Sequence, residues 1–186
     1  MGAVATVPRA YRAGMDTREL LTDAFQRIPP FTHMLADGAD ADLLRFRPDP
    51  DANHLTWLLW HAARVQDDHV AEVAGREQVW TSEGWADRFG LPMPPSDTGY
   101  GYSRAQVDEV RIDDPTLLTG YQDAVAAMVD DYLAKADEGE LDRIVDEAWD
   151  PPVTAGVRLV SVLGDVLMHL GQAGYVKGLY QRRDQA

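Results

Sequence analysis

Apolar residues recur at three-and-four spacing over Leu20, Leu21, Ala24, Phe25 and Ile28, behind an Asp16 placed to cap them, and predict a first helix. Pro29-Pro30 kinks or ends it, and Phe31 to Ala36 is placed to resume as helix before Asp37-Gly38. The stretch RPDPDAN at 47–53 then reads as a linker. Asn53 is placed to cap a second helix, LTWLLWHAARVQDDHVAEVAG, which stops near Gly75. Residues 76 to 102 are dense in Trp, Gly and Pro, a composition that predicts turns without regular structure, packed over one end of the protein. A third helical region opens at Ser103, dips at Asp113-Asp114-Pro115 and continues as LLTGYQDAVAAMVDDYLAKA. Leu118, Tyr121, Val125, Met128, Val129, Tyr132 and Leu133 share its apolar face. LDRIVDEAWDPPV reads as a turn or an isolated extended stretch, and a fourth helix runs from near Thr154 to about Gln181. The pattern predicts an all-α protein, a four-helix bundle with a long aromatic-, Pro- and Gly-rich loop between helices two and three. A single domain spanning 1–186 is expected, with residues 1–14 poorly ordered.

Composition narrows the functions open to such a bundle. Seventeen Lys plus Arg against 31 Asp plus Glu leave a net charge of −14. Lys occurs only at Lys135 and Lys177, and the Arg residues are scattered among acids, so no basic patch is available for nucleic acid or an anionic membrane surface. The chain contains no cysteine, which removes disulfides, thiolate metal sites and a Cys nucleophile from consideration. Any metal must then be held by His and carboxylates. The N-terminal stretch lacks the long apolar core of a secretory signal, and the most apolar region, 156–181, is broken by Arg158, Asp165, His169 and Lys177. A soluble, cytoplasmic protein is expected.

The fourth helix carries the most suggestive chemistry. Arg158, Ser161, Asp165, His169 and Gln172 fall within an arc of roughly 80° on a helix otherwise almost entirely apolar. Such a stripe is either the solvated edge of an amphipathic helix or the lining of an internal cavity in a centrally placed one. Asp165 and His169 lie one turn apart, the arrangement by which one helix gives two ligands to one cation. On the second helix, His61 sits among Leu58, Leu59, Trp60, Ala62 and Ala63, as either a neutral core imidazole or a third ligand. His54 and Asp68, seven residues either side, lie on nearly the same face. His69 belongs to the polar side with Asp67 and Glu72, and His33 reads as a surface or packing residue.

The segment LLWHAARVQDDHVAEVAG, followed about a hundred residues on by VSVLGDVLMHLGQAGYVKGLYQR, resembles the DinB-like superfamily of four-helix-bundle metal proteins, which includes the mycothiol-dependent maleylpyruvate isomerases and related thiol S-transferases. In that superfamily one histidine of the second helix and an i, i+4 pair on the last helix hold a divalent metal, the second of the pair commonly within H-x-G-Q. Here that sequence is His169-Leu170-Gly171-Gln172. The resemblance implies His61, Asp165 and His169 as the metal ligands. Asp165 departs from the pattern, since many members have His there and the maleylpyruvate isomerase branch has Glu.

Three protein ligands leave open positions on the ion, the arrangement of a catalytic site. A metal held so activates a bound water or low-molecular-weight thiol against a small electrophile. Zinc is the first choice of metal, with nickel, iron and manganese also admissible, and mycothiol is a candidate cosubstrate. Arg for Lys throughout, at 15 of 17 basic positions, fits a GC-rich bacterial genome in which that thiol occurs. Gln172 could orient His169 or merely cap the stripe. Arg158 could anchor a substrate carboxylate or form an ordinary ion pair, and Asp68 is a third candidate near the site. Trp80, Trp85, Tyr100 and Tyr102 could wall a pocket or complete the core. The alternative is a non-catalytic metal- or ligand-binding bundle, acting in stress response or as a dimerisation module, and an exposed apolar helix face would make a homodimer.

Overall fold

The computed structural model describes residues 14–183, and these are mostly helical. The stretch expected to be poorly ordered, 1–14, lies outside the described residues apart from Gly14. Asp16 and Glu19 form a capping box that starts α1 (Thr17–Phe25). Pro29 and Pro30 fall in the first turn of α2 (Ile28–Ala36), where the missing N–H groups have no helical partner to lose. Leu21, Phe25 and Ile28 are buried as expected, whereas Leu20 points to solvent. A short α3 (Ala41–Arg45), capped by Asp40, precedes the linker.

The second long helix, α4 (Leu55–Ala74), ends at Gly75 in the left-handed conformation, as the sequence predicts. Its N-cap, however, is His54 and not Asn53. His54 Nδ1 accepts from the Trp57 backbone N–H at 3.1 Å, and its Nε2–H donates to the Val107 carbonyl at 3.0 Å. An imidazole with both nitrogens engaged caps the helix and ties it to the chain 53 residues on, which the short Asn amide does not do. Burial lowers the His54 pKa to about 4. The unfolded imidazole therefore binds a proton near pH 6.5 while the folded one refuses it until about pH 4. Stability is thus full above pH 6.5 and falls as pH drops through that window, by about 3 kcal/mol for this group. Urea unfolding at several pH values should show this slope reduced in His54→Asn; equal slopes in the two proteins would contradict it.

Residues 76–102 were expected to lack regular structure, yet they contain α5 (Val79–Ser82) and α6 (Trp85–Phe89). The reason is tertiary. The buried Asp67 carboxylate on α4 accepts from the N–H groups of Val79 at 2.8 Å and Trp80 at 2.7 Å, capping α5 from twelve residues away. Trp80, Trp85 and Phe89 then pack with Tyr121, so three of these aromatics complete the core. Ser103 opens α7 (Arg104–Glu109) with a second capping box, and Asp114 caps α8 (Pro115–Lys135). All seven residues assigned to the apolar face of α8 are buried. After α9 (Glu138–Leu141), the LDRIVDEAWDPPV stretch forms a small hairpin of β1 (Ile144–Asp146) and β2 (Val153–Thr154), with an irregular register between the two pairs. Thr154 caps α10 (Ala155–Arg182).

Helices α2, α4, α8 and α10 pack on one another, with α1 against α8. The central one is α4. It is buried along almost its whole length, between α10 and α8, so even its polar Arg64, Gln66 and Asp67 are fully enclosed, Arg64 and Asp67 beside each other and Gln66 accepting from Gln122 Nε2 at 3.0 Å. By contrast α10 buries Leu159, Val162, Val166, Leu170, Ala173 and Val176 and exposes Val157, Val160, Met168 and Tyr175. Among the described residues α10 alone is long and apolar enough, by length and composition, to cross a membrane. Its contacts with α4 and α2 account for its inner face.

Candidate metal centre

The packing of α10 along α4 splits the polar stripe, leaving Ser161 and Gln172 exposed as a solvated edge while its middle turns inward, although α10 is not the central helix. Asp165 and His169 turn toward α4 and are half-buried, while the solvent-facing side of α10 is the uncharged one. Opposite them, α4 presents His61, itself buried. One ligand atom from each of His61, Asp165 and His169 can be chosen so that all three lie within 4.8 Å of one another. His169 Nε2 is 3.7 Å from Asp165 Oδ1, and the two imidazole rings meet edge to face with centroids 4.7 Å apart.

Hydrogen bonds fix the direction in which these rings offer their lone pairs. His61 Nδ1 lies 2.5 Å from the Thr98 carbonyl, which can only accept, so the proton sits on Nδ1 and Nε2 carries the lone pair. His169 Nδ1 donates to Gln172 Oε1 at 3.1 Å, leaving its Nε2 toward Asp165 in the same way. Burial lowers the His61 pKa, against the Thr98 bond and the Asp165 charge, which keeps the ring neutral and able to donate its lone pair at neutral pH. Trp57 stacks on His61 with centroids 4.4 Å apart and meets His169 edge-on at 5.8 Å, forming an apolar wall. Asp165 Oδ2 is buried and has no hydrogen-bond partner among the described residues. A carboxylate oxygen in that position calls for a cation or a water.

The other candidates are placed elsewhere. Arg158 Nη2 donates to Asp146 Oδ2 on β1 at 2.8 Å, the ordinary ion pair that competed with a role as a substrate anchor. Asp68 accepts from Gln78 Nε2 at 2.5 Å and turns toward the chain after α4. His54 is the α4 cap, and His33 pairs with Asp123 at 3.0 Å on the surface. Two contributors escape sequence reasoning. The Thr98 carbonyl is a backbone group delivered from 37 residues away, and no local pattern marks it. Trp57 was legible in principle, since it stands one turn before His61 on the same face.

The fold and the cluster together define a helical protein with a two-histidine, one-carboxylate candidate metal site between its central and last long helices. The profile of the DinB superfamily matches residues 24–173, and the chain belongs to that superfamily, whose members are often metal-binding. A solved structure of a conserved protein from Enterococcus faecalis is similar to it at 29% sequence identity, covering 89% of this chain and 98% of that one with a TM-score of 0.82. No curated protein matches the chain.

Proposed function

We propose that the chain is a divalent-metal-dependent enzyme resembling the mycothiol-dependent isomerases and thiol S-transferases, with His61, Asp165 and His169 as its metal ligands. The observation that carries this reading is the convergence of one ligand atom from each of His61, Asp165 and His169, on two helices, to within 4.8 Å of one another, with the second oxygen of Asp165 buried and unpartnered. The residues fit the group: two imidazoles and a carboxylate suit zinc first, and nickel, iron or manganese as well. When bound, such an ion is a Lewis acid that makes a water or a low-molecular-weight thiol such as mycothiol nucleophilic toward a small electrophile. The protein's own part is to hold the proton on Nδ1 of both histidines, through Thr98 and Gln172, and to keep His61 neutral by burial.

Around this site we read the mutual packing of α2, α4, α8 and α10 as a four-helix bundle forming one domain, in a cytoplasmic protein. We also propose a homodimer. The solvent-exposed positions of α10 between Val157 and Tyr175 carry no charged side chain, in a chain that is 26% charged. Sedimentation should give twice the chain mass for the wild type and a shift toward monomer for Met168→Glu.

The test of activity mixes metal-loaded protein with a low-molecular-weight thiol and a panel of small electrophiles. Turnover that disappears in His61→Ala while the far-ultraviolet spectrum is kept supports the enzyme. Tight metal binding without turnover on any substrate supports the binding-module alternative. A separate open hollow of about 430 Å³ beside Arg76, Glu77, Tyr132 and Lys135 includes none of the three proposed ligands and bears on neither reading. Ala74 on its rim is roughly 20 Å along α4 from His61.

Asp165 is one methylene shorter than the Glu of the maleylpyruvate isomerase branch, yet its carboxylate already lies within the cluster. Asp165→Glu is therefore expected to leave zinc affinity unchanged or lower it. A clear rise, measured by competition with a chelating dye, would mean that the native side chain falls short of the ion.

A further inference from the structure

Arg64 lies one turn after His61 on α4 and is fully buried. Its side chain is extensively engaged. Nη1 donates to Gln78 Oε1 at 2.9 Å and to the Tyr121 hydroxyl at 3.2 Å, and lies 3.6 Å from the Asp67 carboxylate. The guanidinium also sits 5.0 Å over the Trp80 ring. The other two nitrogens donate to backbone: Nε to the Asp97 carbonyl at 3.3 Å and Nη2 to the Pro95 carbonyl at 3.2 Å. The next carbonyl along, Thr98, is the one that takes the His61 Nδ1 proton. Directly after it, Gly99 has φ +91°, and a Cβ there would stand 2.8 Å from Trp60 and 3.2 Å from both His61 Nδ1 and Trp57 Nε1. The segment thus lies flat against the His61 ring, at a distance only glycine permits.

We infer that Arg64 is a positioning residue for His61: by gripping the Pro95 and Asp97 carbonyls it presents the Thr98 carbonyl to Nδ1, and so sets the tautomer that leaves Nε2 as the ligand atom. The functional consequence rests on the metal-site reading above, whereas the tautomer is a property of the metal-free protein. An irregular segment does not hold one carbonyl against one ring nitrogen unaided, because each of its residues has conformational freedom to lose. Three features restrict it here. The guanidinium fork is rigid and fully desolvated, its charge is balanced by Asp67, and the Tyr102 hydroxyl donates to the Asp97 side chain at 2.8 Å from the other side. Lysine could keep the charge beside Asp67 but has no planar fork with which to reach both carbonyls, Gln78 and Tyr121.

The test reads the imidazole tautomers directly, by two-bond proton–nitrogen correlation on isotope-labelled, metal-free protein above the ordinary imidazole pKa, together with zinc affinity. The wild type should show His61 as a single species protonated on Nδ1. Arg64→Lys should show a mixture with the Nε2-protonated form and zinc binding weakened about 10–100-fold, with the His169 ring, held by Gln172, unchanged. Gly99→Ala keeps Arg64 and its partners but presses a Cβ on Trp60, Trp57 and His61, and should do the same by displacing the Thr98 carbonyl, which shows that the readout responds when that carbonyl moves. If Arg64→Lys folds and keeps His61 protonated on Nδ1 alone, the inference is overturned, and so it is if Arg64→Lys fails to fold while a folded Gly99→Ala keeps that single tautomer. If the tautomer moves while even the wild type binds no zinc, the positioning role stands and the metal reading falls.

Discussion

Asp67→Ala should cost the fold about 3–5 kcal/mol, the largest loss expected from any single polar substitution in the chain. Its carboxylate, fully buried, accepts from Val79 N, Trp80 N and the Tyr121 hydroxyl, the last at 2.7 Å, and faces Arg64. Removing it strands three donors and leaves a buried guanidinium without its counter-charge, and each of those groups carries its own desolvation cost. Against a typical stability of about 5–15 kcal/mol this is about a fifth of the total at the least. The α5–α6 segment should loosen first, because Asp67 is its cap. The Asp131–Lys135 pair provides the contrast: both side chains are solvated, and Asp131→Asn should leave the unfolding midpoint where it is. Urea denaturation measures both variants. An Asp67→Ala protein as stable as the wild type would mean that the network contributes specificity and not stability.

The second large effect concerns metal affinity, and there the ranking of residues matters more than any single value. His169→Ala removes a proposed ligand and should weaken zinc binding by well over the roughly 100-fold that bounds the loss of an outer partner. Gln172→Ala removes only the acceptor of the His169 Nδ1 proton and should cost about 10–100-fold. Arg158→Ala, whose native partner is Asp146, should leave affinity unchanged. Titration of each metal-free protein against a competing chelator gives the order. If Arg158→Ala weakens binding as much as His169→Ala does, the ligand set is misassigned.

How far the sequence reaches can be judged from these same residues. The periodicity of α4, α8 and α10, the caps at Asp16, Ser103 and Thr154 and the stop at Gly75 are local signals, and they were legible because each is satisfied within a few residues. The juxtaposition of Asp165 with His169 is helical geometry, while bringing His61 to them required the resemblance, since no spacing rule links two helices a hundred residues apart. What stayed hidden is whatever one distant group does for another. Asp67 capping α5, His54 displacing Asn53 as a cap because Val107 takes its second nitrogen, and Thr98 orienting His61 all belong to that kind. The identity of the central helix was hidden for a related reason. The polar side chains Arg64, Gln66 and Asp67 make α4 look amphipathic in sequence, when all three are enclosed in the protein and bonded to residues distant in the chain.

In the proposed site His61, Asp165 and His169 together hold one divalent ion. Elemental analysis of the purified wild type, never exposed to chelator, beside His61→Ala and His169→Ala tests it most directly. Near-stoichiometric zinc, or nickel, iron or manganese, is expected in the wild type and none in either variant. A wild type that carries no metal and takes up none of the four on reloading would contradict it, and the three side chains would then be a polar contact between α4 and α10.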